Sequence, residues 1–262
     1  MTELNEQYQD STNLNIRIKI HERFSTNNED WHMWLFDHYD VKSESKILEL
    51  GCGDGTFWIK NGERFPKGCA ITLSDFSSGM LADAQRRIGN LPNVTYQIVD
   101  IQQIPFDDHY FDVVIANHML YHVPDRERAL KEVRRVLKPG GVFYSSTIGK
   151  EHMGGFNDLL TRFDPTFGFD LTNVQADAFG LENGAEQLNH YFKHVKLTRF
   201  PGDLLIDDVQ AICDYICSSG TNANKALSGK KREQFLGFLN HEKEKNGGFI
   251  KITKATGLFE SK

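Results

Sequence analysis

Residues 46–55 read KILELGCGDG, and this segment decides which fold the chain can adopt. Its first half is a short apolar run, which is typical of a buried strand. Three alternate glycines follow, Gly51, Gly53 and Gly55, which let the chain turn sharply and let backbone N–H groups approach a ligand without an intervening Cβ. Glu49, near the end of the strand, adds a carboxylate directed toward the same crevice. The segment therefore predicts a site for a nucleotide-like ligand.

The spacing of the glycines limits which nucleotide-like ligand fits. A dinucleotide-binding fingerprint, G-x-G-x-x-G, would require glycine at position 56, where the chain has Thr56. A P-loop would require a Gly-Lys-Ser/Thr ending, which the sequence lacks. The pattern therefore excludes a dinucleotide-dependent dehydrogenase and favours a nucleoside without phosphates.

Further apolar runs follow the glycine loop and end in polar residues. Residues 69–75 (CAITLSD) end in Asp75, about 20 residues after the loop, where a carboxylate can bind both ribose hydroxyls. Two more runs have the same character: VTYQIVD, which ends in Asp100, and FDVVIA, which precedes Asn117. The motif LKPGG then ends a helical pattern and leads into a fifth strand over residues 142–148. Strands that alternate with helices predict a parallel, doubly wound α/β sheet with ligands at the carboxyl ends of the strands.

Four motifs in this order closely resemble class I S-adenosylmethionine-dependent methyltransferases. They are LELGCGDG, SDFSSGML, VDIQQIPFDDHYFDVVIANHMLYHV and RRVLKPGG, and the resemblance covers roughly residues 43–149. It implies a Rossmann-like, seven-stranded sheet of order 3-2-1-4-5-7-6 whose last strand is antiparallel. We place the sixth strand at residues 195–200 and the last at residues 249–256.

The resemblance also implies a cofactor, S-adenosyl-L-methionine, and residues that bind it. Asp75 is expected to bind the ribose hydroxyls, while Phe76 and Met80 pack on adenine or ribose. Asp100 is expected to contact the adenine amino group, and Ile101 to cover the ring. The implied cofactor-binding residues are Glu49, Gly51, Gly53, Asp75, Phe76, Met80, Asp100, Ile101 and Asn117.

The segments outside the matched region predict additions to this sheet. Residues 1–42 are expected to form an N-terminal segment and a helical cap of two short helices, and residues 43–262 the methyltransferase domain. Residues 151–194 are expected to form a helical insertion after strand 5, with one clear helix near residues 182–192.

The acceptor side has no required motif, so its residues are predicted from position. His118 and His122 lie four residues apart, a spacing that would place both on one face of a helix, on either side of Tyr121. If the acceptor must lose a proton, His118 is the first candidate for the base and His122 the second, since imidazole titrates near neutrality. Trp31, His32 and Tyr121 are predicted to line the acceptor pocket, since small-molecule sites have mostly apolar walls.

No metal site is predicted. The histidine pair lacks an evident third ligand. Cys213 and Cys217 lie one helical turn apart, but no second cysteine pair stands at ligand spacing, so the cysteines are expected to be reduced.

Charge and hydropathy limit the partners and the compartment. The net charge of −6 argues against a nucleic-acid substrate, whose phosphates require a basic face. No apolar run approaches the roughly 20 residues of a transmembrane helix, and the polar, acidic N-terminus does not resemble a signal peptide. We expect a cytoplasmic monomer or homodimer that binds neither nucleic acid nor membrane.

These observations predict transfer of a methyl group from S-adenosylmethionine to a small-molecule acceptor by in-line displacement. One alternative is methylation of a macromolecule, either protein or nucleic acid. Amino-adenine methyltransferases have Asn/Asp-Pro-Pro-aromatic after the fourth strand, whereas Asn117 is followed by His-Met-Leu, and the Pro-Cys pair of cytosine C5 enzymes is absent. A second alternative is a non-catalytic, cofactor-binding regulatory protein.

Overall fold

The computed structural model describes residues 11–166, 174–218 and 221–262. Contacts within the chain divide it into two compact units. The sheet unit contains residues 29–150, 174–200 and 255–262, and the helical unit contains residues 1–28, 151–173 and 201–254. The boundaries predicted from the sequence, 1–42 and 43–262, stay a prediction.

The sheet unit is built on a seven-stranded sheet of order β3-β2-β1-β4-β5-β9-β6. Strands β1 to β5 pair in parallel, and β9 runs antiparallel to both β5 and β6. Since β9 is the seventh strand of this sheet along the chain, the predicted order 3-2-1-4-5-7-6 and the predicted fold class are confirmed. The strands are β1 Lys46–Leu50, β2 Ala70–Asp75, β3 Val94–Ile98, β4 Phe111–Asn117, β5 Leu137–Ile148, β6 Val195–Phe200 and β9 Thr256–Ser261.

The central strands are apolar because both faces of the sheet are covered. Neighbouring side chains of a strand point to opposite faces. Accordingly, Ile47 of β1 packs in one buried cluster with Leu73 and Val113, whereas Leu48 packs in a second cluster with Val114. A parallel sheet covered in this way leaves the carboxyl ends of β1, β2 and β4 free to form a site.

Several helices of the sheet unit begin after a capping side chain, whereas Thr56–Asn61 and Gly184–Asn189 have no side-chain cap. Ser77 accepts a hydrogen bond from the Met80 N–H at the start of Ser78–Ile88, and Asp125 accepts one from the Arg128 N–H at the start of Arg126–Val136. The helices are α2 Trp31–Asp37, α3 Thr56–Asn61, α4 Ser78–Ile88, α5 Arg126–Val136, α7 Val174–Ala178 and α8 Gly184–Asn189.

Two strands differ from the predicted boundaries. β5 already begins at Leu137, because Leu137 pairs with Phe111 before a register irregularity. The last strand of the sheet is β9 rather than residues 249–256. That earlier stretch contains β8 (Ile250–Ile252), which pairs with β7 (Leu204–Ile206) in a separate two-stranded sheet of the helical unit.

The helical unit packs its helices around an apolar core of its own. Ile20, Phe156, Ile212, Phe235 and Leu239 are among the buried members of this cluster. Its helices are α1 Ser11–Phe24, α6 Gly155–Phe163, α9 Val209–Ser218, α10 Thr221–Ala226 and α11 Gly229–Lys245.

The predicted insertion contains more helix than the sequence indicates. One helix was expected near residues 182–192, and α8 lies there, but α6 and α7 also fall within residues 151–194. Residues 167–173 lie outside the described part of the chain. Across the helices that the structure describes, none combines the length and apolar character needed to cross a membrane.

Candidate functional site

The glycine turn follows β1 and requires glycine for two different reasons. Gly51 has φ of +75°, and a Cβ there would lie 3.0 Å from the side chain of Met119. Gly53 has φ of +56°, but a Cβ there would meet no atom within 4 Å. Position 51 therefore requires glycine because a side chain would press against Met119. Gly53 instead borders open space in which a ligand could contact the backbone.

Asp75, at the end of β2, is joined directly to this turn. The Gly53 N–H donates a hydrogen bond to Oδ2 of Asp75 at 3.0 Å, and the Ser77 N–H donates to Oδ1 at 2.8 Å. Each carboxylate oxygen offers two lone pairs, so each retains one for a further donor. The carboxylate is thus fixed in orientation and can still accept two hydrogen bonds.

The residues predicted for the adenine side differ in exposure. Phe76 is 75% exposed, an unusual position for a phenylalanine, and Met80 is half-buried in the first turn of α4. Asp100 accepts hydrogen bonds from the backbone N–H and the side-chain amide of Gln102. Ile101 is buried in the core of the sheet unit, so its predicted contact with the ring stays a prediction.

Glu49 is a buried carboxylate, with only 2% of the residue exposed. Nε1–H of Trp58 donates to its Oε2, and Nδ2 of Asn117 donates to its Oε1 at 3.3 Å. Burial and, to a smaller extent, the neighbouring charge of Asp75 raise the pKa of Glu49 to about 7, against the effect of the two donors. Glu49 can therefore change its charge near neutral pH.

Asn117 connects Glu49 to residues that the sequence does not predict. Its Oδ1 accepts hydrogen bonds from the Tyr39 hydroxyl and from the Ser146 hydroxyl, each at 3.0 Å. Trp58, nine residues after Glu49 on the helix behind the glycine loop, could have been inferred from its closeness in sequence. Tyr39 could not, because its partner lies 78 residues away and no local pattern connects them.

His118 follows β4 in a left-handed conformation, with φ of +50°. Its N–H lies 3.1 Å from the carbonyl oxygen of Ser146 and 3.2 Å from the Ser146 hydroxyl oxygen. Its ring centroid lies 5.2 Å from that of Trp31 and 6.4 Å from that of Tyr121. Burial lowers the pKa of His118 to about 4, and a smaller contribution comes from His32. The imidazole is therefore neutral at pH 7.

The helical spacing assumed for the two histidines is wrong. Leu120–His122 forms only a single 3₁₀ turn, and His118 lies outside it. His122 is exposed, and its ring packs on Tyr121 with centroids 4.6 Å apart. Only His118 of this pair lies against Trp31.

The N-terminal part of the sheet unit brings Trp31 and His32 to this side. Asp30 caps α2 by accepting hydrogen bonds from the His32 and Met33 N–H groups, and its carboxylate lies 3.6 Å from Nδ1 of His32. Trp31 stacks on Trp34 with centroids 5.3 Å apart. Trp31, His32, His118 and Tyr121 thus form an aromatic group beside the end of β4. Within the described ranges, no three His, Cys, Asp or Glu side chains are grouped to hold a metal.

Comparison with known proteins relates the chain to methyltransferases. Residues 48–145 match a family model described as "Methyltransferase domain". The demethylmenaquinone methyltransferase of Staphylococcus epidermidis is 36% identical over 112 residues, which are 43% of this chain and 46% of that relative. The chain thus matches about half the length of such relatives.

Two further similarities extend beyond this region. Malonyl-[acyl-carrier protein] O-methyltransferase 1 of Ilyobacter polytropus is 26% identical over 198 residues, covering 74% of this chain and 70% of the relative. A solved structure of phosphoethanolamine N-methyltransferase 2 from Haemonchus contortus superposes with a TM-score of 0.59 at 18% identity, covering 98% of this chain and 58% of that one. At that identity the structural match supports the fold alone.

Proposed function

We propose that the chain is a class I S-adenosylmethionine-dependent methyltransferase, which transfers a methyl group from this cofactor to a small-molecule acceptor by in-line displacement. The observation that carries the proposal is the hydrogen bond between the Gly53 N–H and Asp75. It places an open backbone turn and a carboxylate with two unused lone pairs at one edge of the sheet.

The ribose and adenine parts of the cofactor fit the β2 side of this crevice. The two remaining acceptor positions of Asp75 match two vicinal hydroxyls. The exposed ring of Phe76 offers an apolar surface that a purine would cover, and Met80 follows in the first turn of α4. Asp100 and Ile101 are proposed to contact adenine from the end of β3.

The methionine part fits the β1 and β4 side. Glu49 supplies a carboxylate that can pair with an ammonium group, and Asn117 fixes the orientation of that carboxylate. Gly53 borders open space, so a ligand could contact the backbone of the turn there. The open space at Gly53, the fixed carboxylate of Asp75 and the exposed ring of Phe76 therefore fit the cofactor.

When bound, S-adenosylmethionine supplies a methyl group on a positively charged sulfur. The protein then mainly has to align two ligands and exclude water, which can account for ~7–11 kcal/mol of a reaction barrier. Trp31 and Tyr121 are proposed to provide apolar walls for the acceptor, with His32 at the rim. His118 is proposed to accept a proton from acceptors that start protonated, because a neutral imidazole has a free lone pair.

Several observations favour a small molecule over a macromolecule. The acceptor side is an aromatic group rather than a basic surface, and the chain carries a net charge of −6. The two relatives named above carry the names of different acceptors, demethylmenaquinone and malonyl-[acyl-carrier protein], so they do not select one acceptor for this chain. A cytoplasmic location and a monomeric or homodimeric state stay predictions from the sequence, as does a contribution of residues 151–194 to the acceptor pocket.

The test is a transfer assay with S-adenosylmethionine labelled in its methyl group. The protein is incubated separately with small-molecule, nucleic-acid and protein fractions of a cell extract. We expect the label in the small-molecule fraction, lost with Asp75→Ala and retained with Asp83→Ala, whose carboxylate pairs with Arg86 on α4. Label in a macromolecular fraction would favour the first alternative. Cofactor binding without transfer to any fraction would favour the non-catalytic one.

A further inference from the structure

The helical unit contains two cysteines that the proposed methyl transfer does not use. Cys213 and Cys217 lie one turn apart on α9, and both are free thiols. Cys213 is fully buried among Ile212 and Ile216, whereas Cys217 is half-buried. A buried thiol and a partly accessible one thus stand side by side.

Cys217 is also in contact with a cation. Nη1 of Arg232, on α11, lies 3.5 Å from Sγ of Cys217, and Nη2 of the same guanidinium pairs with Asp214. Asp214 in turn accepts a hydrogen bond from Gln210 of the same helix at 2.8 Å, and this bond stabilises part of its negative charge. Arg232 is therefore positioned to stabilise a negative charge on the Cys217 sulfur.

We propose that Cys217 is a site of covalent modification, at which a thiolate paired with Arg232 reacts with low-molecular-weight disulfides. The sulfur of Cys217 attacks one sulfur of the disulfide, a new S–S bond forms to the protein, and the other half leaves as a thiolate. The exchange conserves electrons within the two reactants and requires no other oxidant.

The electrostatics support this assignment. A hydrogen bond from Cys213 and, to a smaller extent, the Arg232 guanidinium lower the pKa of Cys217 to about 7, against the opposing effects of burial and Asp214. The same hydrogen bond and burial raise the pKa of Cys213, which therefore remains a protonated donor. By contrast, burial raises the pKa of both Cys52 and Cys69. Of the four cysteines, Cys217 is the one whose pKa is lowered.

Helix geometry explains why the mixed disulfide would persist. Side chains four residues apart on a helix have Cβ atoms about 5–6 Å apart, whereas a disulfide requires about 3.5–4.5 Å. Cys213 therefore cannot displace the adduct by forming a Cys213–Cys217 bond unless the last turn of α9 unwinds.

The test uses glutathione disulfide as the modifying agent and intact mass with peptide mapping as the readout. We expect one adduct per chain on Cys217, which Cys217→Ser abolishes and Cys69→Ser retains. An adduct on another cysteine, or none at neutral pH, would overturn the proposal.

The pH profile of alkylation by iodoacetamide separates charge stabilisation from mere accessibility. For the wild type we expect the rate at Cys217 to rise with an inflection near pH 7. In Arg232→Gln the inflection should move toward about 8.5, the ordinary thiol value. The rate at pH 7 should fall only about threefold, because the less acidic thiolate is also the better nucleophile.

Two further variants complete the design. Arg232→Lys should bring the inflection of the pH profile part of the way back toward pH 7. Cys213→Ala should raise the inflection while Arg232 stays in place. The second variant therefore still tests the proposal if Arg232→Gln fails to fold. An unchanged inflection in both the Arg232→Gln and Cys213→Ala variants would show that accessibility alone governs the reaction and would overturn the proposal.

Discussion

The two sides of the crevice in the sheet unit are constructed differently. On the β2 side, Asp75 accepts hydrogen bonds from residues 22 positions before it and two after it, all within one β-loop-α-β segment. On the acceptor side, Trp31 packs against His118 and Phe200, which come from distant parts of the chain. A site built from local connections leaves a motif in the sequence, whereas one built from tertiary packing does not.

The largest expected effect is a loss of cofactor affinity, and it tests the β2 side of the crevice. Asp75→Ala should weaken the binding of S-adenosylhomocysteine by ~2–4 kcal/mol, because it removes two charge-assisted hydrogen bonds and water replaces them only in part. It also removes the acceptor that holds the Gly53 N–H. Calorimetric titration of the variant measures the loss.

Asp83→Ala is the matched control for this measurement, since it removes an aspartate from the same region of the chain without approaching the crevice. Equal affinities for the wild type and the Asp75 variant would show that Asp75 does not bind the cofactor. The Gly53–Asp75 arrangement could then no longer be explained as a cofactor site.

The second prediction concerns the charge of Glu49 and follows from its raised pKa of about 7, compared with 4.5 for an ordinary glutamate. Between these values the folded state binds more protons than the unfolded state, so the contribution of Glu49 to stability is complete at low pH and is lost as pH rises toward 7. A shift of this size corresponds to about 3 kcal/mol.

The measurement is urea unfolding at pH 5 and pH 8. Relative to Glu49→Gln, the wild type should lose about 2.5 kcal/mol of unfolding free energy over this range, because part of the total effect already falls below pH 5. The substitution also changes the hydrogen bonds that Trp58 and Asn117 donate to residue 49. The effect of this change on the unfolding free energy is the same at both pH values. A difference between the two proteins that does not vary with pH would show that Glu49 keeps an ordinary pKa.

The third prediction tests the packed side. Once an acceptor that starts protonated is known, His118→Ala should lower turnover by about 10²-fold, the low end for a general base. The low end is expected because a pKa of about 4 makes His118 a weak base. Affinity for S-adenosylhomocysteine should remain nearly unchanged. Full turnover in the variant would mean that the histidine only shapes the pocket.

The smallest expected effect lies where the two sides meet, at Asn117. Tyr39→Phe and Ser146→Ala each remove one donor to Oδ1 of Asn117, and each should cost about 1 kcal/mol of unfolding free energy. The double variant should cost more than the sum of the two single variants, because Oδ1 of Asn117 then loses both donors. Strict additivity in this double-mutant cycle would show that the two donors act independently.

The same contrast explains how much the sequence could predict. The order of the sheet is what the resemblance to a known family implies. The helix cap at Ser77 and the closeness of Gly53 to Asp75 follow from local patterns in the sequence. The roles of Tyr39 and Ser146 depend on side chains from separate segments that meet at Asn117, which no periodicity reveals.

The prediction of the last strand at residues 249–256 was wrong for a similar reason, because strand pairing depends on distant parts of the chain. Residues 250–252 alternate buried and exposed side chains as a strand should, and β9 does so less clearly. Both stretches form strands, and only their pairing partners decide which joins the large sheet. Likewise, the four-residue spacing of His118 and His122 would matter on a helix, but the chain forms only a 3₁₀ turn there.

The central claim is that the glycine turn and Asp75 bind a nucleoside cofactor without phosphates, and calorimetric titration of the wild-type protein tests it most directly. The account predicts saturable binding of S-adenosylmethionine and S-adenosylhomocysteine at one site per chain, with no measurable binding of a nicotinamide dinucleotide at the same concentrations. Preferential binding of the dinucleotide, or no binding of either sulfur-containing nucleoside, would contradict it.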